Sequence, residues 1–157
     1  MRLTYSRVGA LALLAAVACG SCLPAFSTDF SIDAVYFIEK MPLPTGSLDA
    51  SLVDPSVTLK VLGNDASAIN SLKQAYTTKI VGHTDNKECA AHDCEDLSLR
   101  RARLVYTWMV ANGVPSSRLL PPEGHGSVEP VANNAIANGR ARNRYVEFQI
   151  IAPPGQP

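Results

Sequence analysis

The chain has 157 residues, and its 14 Lys+Arg balance 14 Asp+Glu to give a formal net charge of zero. That length buries a real core without help from metals or disulfides. The charge balance excludes a protein that grips nucleic acid through clustered Lys and Arg. The 11 Pro and 10 Gly follow no collagen period and form no low-complexity tract.

At the start of the chain, Arg2 and Arg7 precede an uninterrupted run of apolar and small residues, Val8 to Ala18 (VGALALLAAVA). The run is shorter than the roughly 20 residues that cross a bilayer. A basic start, an apolar middle and a small-residue end identify residues 1–18 as a secretory signal peptide. Two outcomes fit Ala16-Val17-Ala18-Cys19. Ordinary cleavage is one; the other treats the run as a lipobox and leaves Cys19 as a lipidated N-terminus. Each buried lipid CH₂ would add about 0.8 kcal/mol to membrane residence. Losing residues 1–18 removes two arginines and no acids, which leaves 12 basic against 14 acidic residues. No other segment reaches spanning length.

Cysteines in an exported chain tend to pair. Cys89 and Cys94 lie five apart in one polar stretch, and we expect them to close a small disulfide loop. Cys19 and Cys22 belong to the tether. If Cys19 carries lipid, Cys22 is left odd; if it does not, the two can bridge. The rival for the later pair is a metal site of Cys89, His92 and Cys94 with His83 upstream. It lacks the second ligand pair usual for zinc, so no metal or other cofactor is expected.

Residues 19–30 are poor in charge and read as a tether. Ser31 to Glu39 (SIDAVYFIE) is rich in β-formers and reads as a strand. Met41 to Pro55, with Pro42, Pro44 and Gly46, reads as loop. Val57 to Leu62 (VTLKVL) alternates and reads as a second strand. Asn64 or Asp65 would cap a helix to about Tyr76, with Ala66, Ile69, Leu72 and Ala75 on one face. Thr78 to Gly82 reads as a short buried strand. From Ser98 to Asn112 the spacing predicts a helix that buries Ala102, Val105 and Met109, flanked by Tyr106 and Trp108. Arg100, Arg103 and Thr107 face solvent, and Arg101 falls at the shoulder of the buried stripe. Gly113 and Pro115 end this helix. Arg118 to Leu120 reads as extended, residues 138–143 as a short helix and Tyr145 to Ile151 as a final strand. Alternating strands and helices give an α+β fold: a two-layer sandwich with helices on one face of a mixed sheet.

The blocks that carry function lie between Ile80 and Ile150, nearly half the chain. They are Val81-Gly82-His83-Thr84-Asp85, then Leu97-Ser98-Leu99-Arg100-Arg101-Ala102, then Gly124-His125-Gly126 with Glu129-Pro130. Asn134 and Gly139-Arg140-Ala141-Arg142-Asn143-Arg144 follow. In order and spacing they resemble the OmpA-like peptidoglycan-binding domain of outer-membrane porins, peptidoglycan-associated lipoproteins and motor stator proteins. The chain then divides into the leader, the tether, a domain over 31–152 with its motifs in 78–151, and a tail at 153–157.

The resemblance implies noncovalent binding of the peptidoglycan stem peptide through diaminopimelate. Asp85 and Arg101 are then the principal contacts, and Asn143 and Arg144 line or brace the site. Thr84 and Leu97 would act mainly through backbone groups. The chemistry is consistent: diaminopimelate ends in an ammonium and a carboxylate, which one acid and one planar guanidinium can hold. It also implies an envelope location, in the periplasm and anchored to the outer membrane, with peptidoglycan and envelope proteins as partners. The chain departs from the family pattern in places. Glu88 stands where the family usually has Gly, Tyr145 replaces an Arg, and His125 replaces a common aromatic.

His83, before a turn, reads as a structural hydrogen-bonder, and His125 as a loop residue. No metal-bound water, activated nucleophile or flanking carboxylate pair stands at a recognisable spacing, so no enzyme is expected. Two other readings remain: a docking subunit of a secretion or pilus apparatus that uses the fold without strong peptidoglycan binding, and a metal-dependent periplasmic protein using Cys89, His92 and Cys94.

Overall fold

A computed structural model describes residues 32–89 and 94–154. The leader, the tether with Cys19 and Cys22, and His92 lie outside the described residues. Seven elements follow in order: β1 (Val35–Tyr36), α1 (Pro55–Ser71), β2 (Thr77–Gly82), α2 (Cys94–Ala111), β3 (Glu123–Gly124), α3 (Ala137–Asn143) and β4 (Tyr145–Ile151). The sheet order is β1-β4-β2-β3. β4 runs antiparallel to both neighbours, pairing Thr77 with Ile151 through to Gly82 with Val146, whereas β3 lies parallel to β2. The expected mixed sheet and two-layer α+β sandwich are present.

Both long helices cover the same face. Leu62, Ala66 and Ile69 of α1 and Ala102, Val105 and Met109 of α2 share one core with Ile80, Val146, Val35 and Phe37. Tyr106 and Trp108 pack against its edge. Two glycines set the spacing: a Cβ on Gly82 or Gly124 would collide with the α2 backbone around Ser98 and Leu99. Side chains alternate along a strand, and Gly82 and Gly124 face α2, so the residues flanking them, Val81 and His83, Glu123 and His125, point to the sheet face away from the helices.

Several expectations need correction. Val57 to Leu62 is not a strand but the first part of α1. Pro55 takes the first helical turn, and Asp54 caps it by accepting a hydrogen bond from Val57 N (3.1 Å). The cap is therefore not Asn64 or Asp65; Asp65 is buried inside the helix. The helix also stops earlier than Tyr76, at Ser71. The first strand shrinks to two residues because the chain leaves β4 after Phe37, where Ile38 N turns to Ser51 O (2.9 Å). Lys40 then adopts a left-handed φ of 62°. The loop over 41–55 contains a 3₁₀ turn, Asp49–Ser51, and buries Leu48 and Leu52. α2 begins at Cys94 rather than Ser98 and ends as expected, with Gly113 at φ 92° and Val114 N bonded to Met109 O (3.0 Å). Residues 116–118 form a 3₁₀ turn, and only Leu119 bridges to β2, at Thr78.

Candidate functional site

Beyond β2 the chain stays tied to the strands on both sides. His83 N donates to Tyr145 O (2.8 Å), and Thr84 N donates to Gly126 O (2.9 Å). Asp85 comes next and is buried. Its Oδ1 accepts hydrogen bonds from Lys87 N (2.7 Å) and Glu88 N (3.0 Å), while Glu88 Oε1 accepts one from Asp85 N (3.0 Å). This reciprocal Asp-x-x-Glu exchange has the bonding pattern of a capping box. It folds the Glu88 carboxylate back under the loop.

Arg101 is not at the shoulder of α2 but in the interior, 0% exposed. Because α2 starts at Cys94, Arg101 also lies roughly two turns from its N-terminus. Its guanidinium grips Glu88 in a two-point contact, Nη1 to Oε1 and Nη2 to Oε2, both 2.7 Å. The remaining donors reach His83 O (2.8 Å), Met41 O (2.8 Å) and Ile38 O (3.3 Å). The Phe37 ring lies 5.2 Å from the guanidinium carbon. All five N–H groups of the guanidinium are thus used. Lys40 N, aimed by its left-handed backbone, donates to Glu88 Oε2 (2.9 Å).

Asp85 and Arg101 therefore do not pair with each other. Asp85 Oδ2 pairs with Arg144 Nη1 (2.8 Å), and Arg144 Nε also donates to Phe37 O (3.3 Å). Two acids and two arginines form adjoining ion pairs whose charges cancel, and Arg144 alone keeps a partly exposed side chain, at 12%. Asn143 sits beside this cluster as a brace. Its Oδ1 accepts from Ala132 N (2.8 Å), and its Nδ2 donates to Ala132 O (2.9 Å) and Asn134 Oδ1 (2.8 Å). Leu97 is buried. The expected Cys89–Cys94 disulfide is present and joins the residue after Glu88 to the first residue of α2.

The sequence marks Glu88 only as a departure from a glycine. Its partnership with Arg101 had one local signal, the Asp-x-x-Glu spacing. The three carbonyls come from segments distant in sequence and had none. His83 is a structural hydrogen-bonder through its backbone, to Tyr145 O and from Arg101, but not through its ring. It is buried and stacked on Tyr145 (4.3 Å), and neither ring nitrogen has a hydrogen-bond partner among the described residues. Burial lowers its pKa, partly offset by Glu147. Burial likewise pushes the Tyr145 phenol up to about 12.

A family model described as the OmpA family matches residues 57–144. The chain belongs to the OmpA family. The peptidoglycan-binding protein ArfA of Mycobacterium bovis is 35% identical over 109 residues, 69% of this chain and 32% of that protein. The chain spans between 21% and 44% of the length of curated relatives that it matches. Among solved structures, the peptidoglycan-associated lipoprotein of Burkholderia pseudomallei superposes with a TM-score of 0.60 at 22% identity, covering 75% of this chain and 89% of that one. The cell wall anchor of the T6SS from Pseudomonas aeruginosa gives 0.54 at 32% identity, covering 73% and 76%. Family membership thus accounts for the sequence blocks, and the superpositions match the α+β fold.

Proposed function

We propose that this OmpA-family domain binds peptidoglycan noncovalently in the cell envelope, taking the carboxylate–ammonium end of a stem-peptide diaminopimelate. The observation that carries this reading is the Arg101 fork, which already holds a carboxylate in two-point geometry, supplied by Glu88. In this proposal Glu88 is an internal stand-in. The ligand carboxylate replaces it on Arg101, and the ligand ammonium replaces Arg144 on Asp85. The exchange requires the displaced Glu88 carboxylate and Arg144 guanidinium to swing out to solvent together, so that no bare charge stays buried. In the same proposal Thr84 offers its carbonyl, its N–H being bonded to Gly126 O, Leu97 offers its N–H from the first turn of α2, and Asn143 holds the neighbouring loop. The likeness to ArfA, a peptidoglycan-binding protein, supports the ligand class. A lipid on Cys19, carrying the domain to the outer membrane, belongs to the same proposal. Binding needs no chemical step, so we propose no enzymatic activity.

Complete internal satisfaction of Arg101 favours a second reading, a docking module of an envelope apparatus that has lost its ligand. Pull-down by purified diaminopimelate-type sacculi separates the two. For the first reading, wild type is retained and Arg101→Ala and Asp85→Ala are not. Glu88→Gln, which withdraws the competing charge, binds at least about 10-fold more tightly because more of the protein is binding-competent. Circular dichroism on each variant guards against simple unfolding. Equal retention of wild type, Arg101→Ala and Asp85→Ala overturns the binding site. Failure of both wild type and folded Glu88→Gln to bind overturns the first reading, and cross-linking in cells that then captures envelope proteins supports the docking reading.

A further inference from the structure

The sheet face away from the helices carries a cluster that the peptidoglycan reading does not use. Parallel pairing of Gly82 with Gly124 sets His83 and His125 on the next rung, and His125 N donates to Gly82 O (3.0 Å). Their rings meet edge to face with centroids 5.6 Å apart. Glu129, one turn beyond His125, completes a set whose ligand atoms all lie within 4.8 Å of one another.

His83 is 2% exposed, and its two ring nitrogens lack hydrogen-bond partners among the described residues. Glu147 Oε1 stands 3.5 Å from Nε2, an ion-pair separation without hydrogen-bond geometry. A buried imidazole with no partner is costly, and an electron-pair acceptor would relieve it. The surroundings are acidic: Glu129 and Glu123 each lie 3.3 Å from a nitrogen of His125, and Lys79 neutralises only Glu123.

We propose that His83, His125 and Glu129 form a binding site for a divalent transition ion of the zinc class. Two imidazoles and one carboxylate suit zinc, with nickel and copper as chemical relatives, and do not suit magnesium or calcium. Tetrahedral zinc sets its ligand atoms about 3.3 Å apart. His125 and Glu129 are partly exposed, at 31% and 61%, and their side chains can close the remaining distance onto the fixed His83. The fourth position is left to water or to Glu147. A bound ion would clamp the turn over 125–129 to the end of β2, two residues before Asp85. The inference does not depend on peptidoglycan binding.

The test uses the purified protein with Cys89–Cys94 oxidised, and zinc chloride as the probe. Dialysis followed by elemental analysis gives the stoichiometry, and titration calorimetry the affinity. The expected result is one retained zinc per chain, with magnesium chloride ineffective. His125→Ala and Glu129→Gln, both at partly exposed positions, each weaken binding by at least about 100-fold, more than loss of an outer-shell group costs. NMR signals of the His83 imidazole shift on addition of one equivalent. Three outcomes overturn the proposal: no retained zinc, retention undiminished in both variants, or His83 signals that stay unmoved while zinc binds.

Discussion

Asp65 is the residue at which burial and charge conflict most openly. It lies inside α1, 3% exposed, and its Oδ2 has no hydrogen-bond partner among the described residues. Burial raises its pKa from 3.8 to about 6, against the lowering effect of a hydrogen bond from the Asp33 backbone, while the charge of Asp33 adds to the rise. A carboxyl with a raised folded pKa contributes stability below its unfolded value, and that contribution is lost as pH rises through about 6. Asp65→Asn should therefore be more stable than wild type at pH 7.5, by about 1–3 kcal/mol, with the gap closing near pH 4. Urea denaturation at the two pH values measures this; an equal gap at both would refute the linkage. Glu88 differs in its bonding: both oxygens of its buried carboxylate accept hydrogen bonds, from Arg101, Lys40 N and Asp85 N.

At the scale of elements, α1 shows where local pattern was ambiguous. Val57 to Leu62 satisfies a period of two over six residues, yet Leu59, Leu62, Ala66 and Ile69 satisfy a helical period over a longer window. The structure follows the longer pattern, with Leu62, Ala66 and Ile69 buried and Val57 55% exposed. Pro55 after Asp54 was the available start signal. Asp54→Ala should cost about 1 kcal/mol, read as a lower urea midpoint with the slope unchanged. A change below a few tenths would mean that packing alone sets the start of α1. β4 was legible because Tyr145 to Ile151 is a run of β-formers bounded by Asn143 and Pro153. β1 was not, because its end depends on a turn of the chain towards Ser51, which no neighbouring residue announces.

For the molecule as a whole, the Cys89–Cys94 bridge ties the loop carrying Glu88 to the helix carrying Arg101. A loop this short gives a modest entropic constraint, so Cys89→Ser with Cys94→Ser should lower stability by about 2 kcal/mol. A reductant should lower the urea midpoint of wild type and leave that of the variant unchanged. Identical responses would show that the bridge constrains nothing. The sequence by itself determined the family, the two-layer class, both ends of β4, the end of α2 and the disulfide pair, and it singled out Asp85 and Arg101 as candidates. Each of these is written in residues close together along the chain, or in blocks whose order is itself the signal. Only the tertiary structure decided what those side chains face. It set Glu88 on Arg101, Arg144 on Asp85 and His83 beside His125, because each pairing joins separate segments. Such encounters depend on strand register and on the close seating of α2 over Gly82 and Gly124, which local periodicity does not encode. The zero net charge with which the sequence begins has a local counterpart here, in a buried cluster where two acids cancel two arginines.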